Sequence, residues 1–363
     1  MPNSKSSVLS ARDRACSFCN TYELRIPVLM APMAGACPPS LATAVCNAGG
    51  MGACGALLME PSAIESWVSK VRANTNGAFQ LNTWIPDPAP IRNAEHEYGL
   101  REFLKQWGPE VPEDAAEVRL VDFRSQCDAM LAASPRAISS IMGLYPAEIV
   151  ARMEAEGIHW FATVTTVTEA LAAEAAGADV LIAQGMEAGG HRGTFNADEA
   201  QVSLVGLFSL LPAVVDAVSI PVVATGGITD SRAIAAALTL GASAVQLGTG
   251  LLRSAEANTP SVLADAMATA KPEDSVATTA FSGRLGRSLQ SAYTVAAAAD
   301  SAPLSAPYPV QRNLTALMRK QAIATSDLST MQSWAGQSAS YARAGSAHNI
   351  VVDLWEEAQV LLP

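Results

Sequence analysis

Ala178-Asp179-Val180-Leu181-Ile182-Ala183-Gln184-Gly185-Met186-Glu187-Ala188-Gly189-Gly190-His191-Arg192-Gly193 joins an apolar run to a glycine-rich turn carrying one histidine. Val180 to Ala183 lack the polar alternation of a half-exposed strand, so they read as a strand buried on both faces, as in a parallel sheet covered by helices. Glycines at 189, 190 and 193 let the following turn bend tightly and approach a ligand closely. His191 is the one side chain in that turn that titrates near neutrality.

Similar runs recur on both sides of this stretch. Strands are expected at 28–31, 52–57, 79–82, 137–142, 160–164, 180–184, 222–225 and 244–247. Helical patterns lie between them at 39–48, 62–72, 123–133, 146–156, 167–176, 204–218 and 231–240, several opened by Pro, Ser or Thr and closed by Gly. Eight β/α alternations fit a TIM (β/α)8 barrel better than a doubly wound sheet. Two segments break the rhythm, about 83–122 and 253–312. Both follow strand carboxyl ends, the face on which such barrels place their sites. The expected division is a barrel of 1–252 and 313–363, with 253–312 as a smaller α-rich subdomain covering the substrate. Residues 312–361 look helical and return to the barrel exterior.

Composition narrows the function. Half of the 363 residues are apolar, enough for a large core, and the net charge is −11 with no basic cluster. Nucleic acid and anionic membranes are therefore poor partners, and an anionic substrate needs a local positive site. The first twenty residues, with Lys5, Arg12 and Arg14, lack the apolar stretch of a signal peptide, and no later run suits a membrane span. A cytoplasmic protein is expected, either monomer or homodimer. The six cysteines form no disulfide framework. Cys16 and Cys19 make a C-x2-C pair without the second pair that zinc requires, so no metal is expected.

Gly50-Met51-Gly52-Ala53-Cys54-Gly55 matches G-x-G-x-x-G, but a helix precedes it and a strand follows, the reverse of a dinucleotide-binding turn. Its glycines read as a helix cap and a turn into the second strand. Gly226-Gly227 follows the seventh run and Gly248-Thr249-Gly250 the eighth. Loops at those two places are the recurrent phosphate cradle of TIM barrels, so a phosphorylated cofactor or substrate is the natural occupant. Among the four histidines, His159 opens the fifth strand at the opposite rim, while His96 and His348 sit in polar segments. Only His191 lies on the catalytic face. Asn82 and Gln184 end strands and point amides at the same mouth, where they can bind a heterocycle's edge. Neither G-x-S-x-G nor H-E-x-x-H occurs, which weighs against hydrolases.

Ala31-Pro32-Met33-Ala34-Gly35, Asn47-Ala48-Gly49-Gly50, the Gln184 to Gly193 stretch, Ala224-Thr225-Gly226-Gly227-Ile228 and Gln246-Leu247-Gly248-Thr249 together resemble the nitronate monooxygenases (2-nitropropane dioxygenases), class I branch. The likeness runs from about residue 24 to Pro307-Tyr308-Pro309-Val310-Gln311-Arg312. It implies an FMN-bearing TIM barrel that oxidises alkyl nitronates, propionate 3-nitronate above all, with molecular oxygen and without NAD(P)H. The products would be carbonyl compounds and nitrite or nitrate, a detoxification. The resemblance further implies that FMN meets Pro32, Met33, Asn82, Gln184, Gly189, Gly227, Gln246, Leu247, Gly248 and Thr249. His191 would be the catalytic residue, and Tyr308 would line the substrate pocket.

The chain departs from this pattern at Ile141-Met142, where an aromatic or histidine is expected. It departs again at Leu285-Gly286, where relatives tend to have Pro-Ala, and in the distinctive Trp84–Pro90 segment. These positions bear on substrate preference. The alternative is an NAD(P)H-dependent FMN reductase of quinones or enoyl thioesters, which shares the barrel and a Gly-Gly-His loop. A phosphosugar lyase or isomerase would use the same cradle, but Lys70, Lys105, Lys271 and Lys320 are not at strand ends to form a Schiff base. A flavin-binding protein without turnover is the third reading.

Overall fold

The computed structural model describes residues 9–117 and 120–363. Lys5 and positions 118–119 of the first insertion lie outside the described residues. The strands in chain order are β1 (Val28–Met30), β2 (Gly52–Gly55), β3 (Phe79–Trp84), β4 (Ala137–Ile141), β5 (His159–Val164), β6 (Val180–Gln184), β7 (Gly190–His191), β8 (Val222–Thr225), β9 (Ala244–Leu247), β10 (Ser275–Thr278) and β11 (Gly286–Leu289). Eight of them form one parallel sheet in the order β1-β9-β8-β6-β5-β4-β3-β2. A parallel bridge between Leu29 and Met51 joins its two edges, with Met51 N–H donating to Val28 O at 3.0 Å and Met30 N–H to Met51 O at 2.8 Å. The sheet is thus a TIM barrel without a free edge.

The period of two along β6 shows how the barrel sorts its side chains. Val180 and Ile182 pack inward with Leu29, Met51, Phe161 and Val223. Leu181 and Ala183 turn outward into the cluster shared with the surrounding helices. The helix Ala11–Tyr22, capped by the Ser10 hydroxyl, closes the amino-terminal end of the barrel. Its Tyr22 meets Phe161 edge-on at 5.1 Å and His159 at 4.9 Å, which puts His159 at the rim away from His191.

Expected and observed elements differ in four informative places. β2 ends at Gly55 rather than at 57, whereas β3 continues two residues past 82, because Thr83 and Trp84 pair with Ser140 and Ile141 of β4. That extension brings Trp84 to the mouth. The second insertion contains not only the helices Ser261–Thr269 and Ala292–Ala297 but also the β10–β11 hairpin. The carboxyl-terminal segment is not continuously helical. The helix Ala316–Thr325 ends at Ser326 in the left-handed region, and Asp327 then accepts from Ser329 N–H at 2.9 Å and from the Thr330 hydroxyl at 2.7 Å. These local bonds compete with the helix. Residues 326–346 return across the barrel mouth before Ala347–Leu361 packs against the helices Pro39–Ala48 and Ser231–Thr239.

Two further apolar clusters sit above the barrel. One joins Leu100 and Leu104 of the first insertion to Phe281, Tyr293, Val310, Leu314 and Met318. The other joins Leu252, Leu263 and Met267 to Met331, Ala335 and Ala339. No helix among the described residues is long and apolar enough to cross a membrane.

Gly50 sits at the closing seam, where an added Cβ would lie 2.4 Å from Val28 O. Gly99, within the helix Ala94–Leu104, has nothing within 4 Å of that position. Gly50→Ala is therefore expected to destabilise the protein by about 2 kcal/mol, the usual scale of overpacking, in urea unfolding. Gly99→Ala should raise stability by about 1 kcal/mol in the same assay.

Candidate active site

Backbone pairing fixes the turn after β6. Its two residues of β7 pair antiparallel with β11, Gly286 opposite His191 and Arg287 opposite Gly190, and Arg192 N–H donates to Leu285 O at 2.8 Å. Gln184, the last residue of β6, braces the turn from below. Its amide donates to His191 O at 3.0 Å and accepts from Gly193 N–H at 2.8 Å. Arg192 completes the frame. Its buried guanidinium donates to the carbonyls of Gln184, Thr165 and Ser203, and burial lowers its pKa to about 10.

The His191 ring projects into an aromatic and hydroxyl surround. Trp84 lies edge-on at 4.7 Å between centroids and Trp334 at 4.9 Å. Tyr308 continues the aromatic wall, 5.0 Å from Trp84. The Nε2 atom is 2.7 Å from the Ser282 hydroxyl, which also lies 3.1 Å from Arg284 O. Among the described residues Nδ1 has no hydrogen-bond partner.

Charge around this ring is unevenly balanced. Arg284 is buried and paired with Asp87, linking the two insertions, and it also donates to Thr194 O at 2.9 Å. Among the described residues Arg319 bonds only neutral oxygens, those of Thr315, Gln332 and Arg312, and burial lowers its pKa to about 10. Arg312 joins no ion pair among the described residues. Burial, then the positive charge of Arg284, Arg312 and Arg319, lowers the His191 pKa to about 3. The imidazole is therefore neutral at ordinary pH, in a pocket whose field favours an anion. Positive charge is thus gathered locally in a chain whose net charge is −11.

The glycine turns after β8 and β9 stand on the same mouth. Gly226 and Gly227 have φ of +107° and +70°, a conformation other residues avoid, and their turn leads into the helix Ser231–Thr239. The carboxylate of Asp230 already caps that helix, accepting from Ala233 N–H at 2.9 Å. An anion would instead meet the backbone N–H groups of Gly227, Ile228 and Gly248, which find no protein acceptor among the described residues. A Cβ at Gly248 would lie 3.7 Å from Met33 Sδ, so the cradle and Met33 face one another. These turns fit a phosphate-bearing group.

The remaining sequence-derived positions differ in what they offer. Pro32 is half-buried beside Met33 on the strand-1 loop. Asn82 donates to Ser139 O at 3.1 Å and to its hydroxyl at 3.0 Å. Gln246 accepts from Gln80 at 3.2 Å. Leu247 turns its side chain into the core, so only its backbone faces the mouth. Gly189 is packed against backbone: an added Cβ would lie 2.5 Å from Gly336 N. The Thr249 hydroxyl accepts from that same Gly336 N–H at 2.9 Å.

Trp334, Gly336 and Arg319 were not recognisable as site residues. Their segment reads as a helical return, and the weak cue is the polar Ser326-Asp327 break that ends the helix of Arg319 before Trp334 and Gly336 are reached. Ser282 and Arg284 stand just before Leu285-Gly286, where the chain departs from the family pattern, but sequence does not give their pairing with His191 and Asp87.

Residues 18–357 match the sequence profile of the family described as Nitronate monooxygenase. A probable nitronate monooxygenase of Staphylococcus aureus (strain Newman) is 33% identical over 334 residues, covering 91% of this chain and 94% of its own length. The crystal structure of nitroalkane oxidase from Streptomyces ansochromogenes superposes with a TM-score of 0.87 at 33% identity, over 94% of this chain and 99% of that one. FabK from Thermotoga maritima is more distant, with a TM-score of 0.74 at 26% identity over 95% and 96% of the two chains. With the profile spanning nearly the whole chain and the barrel and glycine turns in place, this protein is a member of the nitronate monooxygenase family, an oxidoreductase.

Proposed function

We propose that this protein oxidises alkyl nitronates with molecular oxygen, using FMN, to carbonyl compounds with release of nitrite or nitrate. Propionate 3-nitronate is the first substrate to test. The observation that carries the reading is a neutral imidazole with a free ring nitrogen among arginines that carboxylates do not fully offset. Such a pocket attracts a nitronate, already an anion, and requires no strong base.

Bound FMN supplies the electron acceptor and the reaction with oxygen. The phosphate would sit on the N–H groups of Gly227 and Gly248 beside Thr249. Pro32, Met33, Asn82, Gln184, Gly189, Gln246 and Leu247 would border the rest of the cofactor. Residues 253–312 would cover the substrate, with Tyr308 lining its side.

The single proton of the Ser282 hydroxyl decides what His191 offers. Directed at Nε2, it leaves Nδ1–H as a donor to a nitronate oxygen. Directed at Arg284 O, it makes Nε2–H the donor to Ser282 and leaves the Nδ1 lone pair free to take the α-proton of a neutral nitroalkane. Because the His191 pKa lies near 3, positioning of the anion is the principal role and proton abstraction the secondary one.

His191→Asn should lower kcat/KM about 100-fold on neutral nitroalkanes, the ordinary scale of general-base loss, and less on preformed nitronates. Full turnover of both by the variant would refute both roles. The folded pKa lies below the unfolded value of 6.5, so His191 binds its proton only near pH 3 in the free protein, and its cost to stability grows as pH falls from 6.5. Accordingly, the Cε1–H resonance of His191 should not shift between pH 5 and 8. An NAD(P)H-dependent FMN reductase of quinones or enoyl thioesters, the alternative reading, is separated by anaerobic mixing of the flavin-loaded protein. Propionate 3-nitronate should bleach the flavin and NADH should not; the opposite result selects the reductase.

A further inference from the structure

Beyond the aromatic wall of Trp84 and Tyr308 lies a second space, on the side of the first insertion. It has a volume of about 480 Å³, within the range of roughly 300–1,000 Å³ usual for small-molecule pockets. Leu57, Ile85, Pro88, Leu120, Val121 and Phe123 give it mainly apolar walls. None of the positions expected to border the cofactor lines it, so it is separate from the glycine cradle.

Its polar lining residues are mostly engaged elsewhere. Asp87 is paired with Arg284, and Arg92 with Glu97. The Gln126 amide donates to the carbonyls of Ala56, Leu57 and Met59 at 3.0, 2.9 and 3.0 Å, and its oxygen accepts from Thr83 at 3.2 Å. Tyr308 and the exposed Glu117 are the exceptions, and the Tyr308 hydroxyl is buried with no partner among the described residues. A space with mainly apolar walls suits a ligand with an apolar body. The Trp84 ring, 4.7 Å from His191 and 5.0 Å from Tyr308, lines this space and also meets the imidazole.

We propose that this cavity receives the hydrocarbon chain of the substrate, making longer-chain alkyl nitronates and nitroalkanes the preferred class. The proposal rests on the nitronate-oxidising reading and specifies what that site selects. The nitro group would stay beside His191, and the chain would pass Trp84 with the Tyr308 hydroxyl at the crossing. Each methylene entering the cavity then leaves water.

Oxygen uptake with ethyl, butyl, hexyl and octyl nitronates by the flavin-loaded protein tests this. Beyond butyl, kcat/KM should rise about fourfold per methylene, through KM, as expected for burial of one CH2. Ala89 is exposed and lines the cavity, so Ala89→Trp fills it from the surface with little demand on the core. The octyl-to-ethyl ratio should collapse towards one in Ala89→Trp and in a second variant, Val121→Trp. Equilibrium binding of 1-nitrohexane, measured anaerobically, should weaken in the same variants. A flat series in the unaltered protein, or a slope retained by both folded variants, overturns the cavity's role and leaves nitronate oxidation standing. No turnover of any nitronate overturns both.

Discussion

The two-residue pairing of Gly190–His191 with Gly286–Arg287 is the constraint on which the site depends. A histidine in a glycine-rich turn would otherwise sample many orientations, and ordering it would cost backbone entropy at every encounter with substrate. Here the ladder to β11, the Gln184 amide and the Arg192 guanidinium meet that cost when the protein folds. The glycines serve the same end. Gly190 adopts φ of +76°, and Gly189 admits the backbone of Gly336 where any side chain would collide. Preorganisation of this kind places a donor before charge arrives.

The electrostatics follow from the same frame. Burial makes the imidazole neutral, and the arginines that surround it are held by carbonyls, hydroxyls and an amide more than by carboxylates. Such an arrangement leaves positive potential unneutralised within a protein of net charge −11. The positive potential is therefore local to one pocket, opposite in sign to the protein as a whole. Ser282 adds the finer control, because one hydroxyl proton determines which face of His191 is donor and which is acceptor.

The barrel was legible in the sequence because parallel strands buried on both faces leave long apolar runs, and helix caps mark the intervals between them. Val180 to Gln184 and Val222 to Thr225 were located to the residue for that reason. The glycine turns were legible through their position after the seventh and eighth barrel strands. What escaped depends on contacts remote in sequence. Trp334 reaches His191 across 143 positions and Arg284 reaches Asp87 across 197. No local pattern encodes such pairs. The β10–β11 hairpin escaped for a related reason, since Ser275–Thr278 and Gly286–Leu289 are short and their outer partner is the two-residue β7.

The contact of Gly189 with Gly336, locked by the Thr249 hydroxyl, has a consequence for how the protein comes into being. Three walls of the mouth come from parts of the chain that leave the ribosome at widely separated times. The helix Ala347–Leu361, which seats the wall carrying Gly336 against the outside of the barrel, emerges after all of them. A nascent chain can therefore assemble most of its strands in order of synthesis while its mouth stays unfinished. The mouth closes only once Gly336 and this helix have been made, so the order of synthesis sets the barrel first and its mouth afterwards.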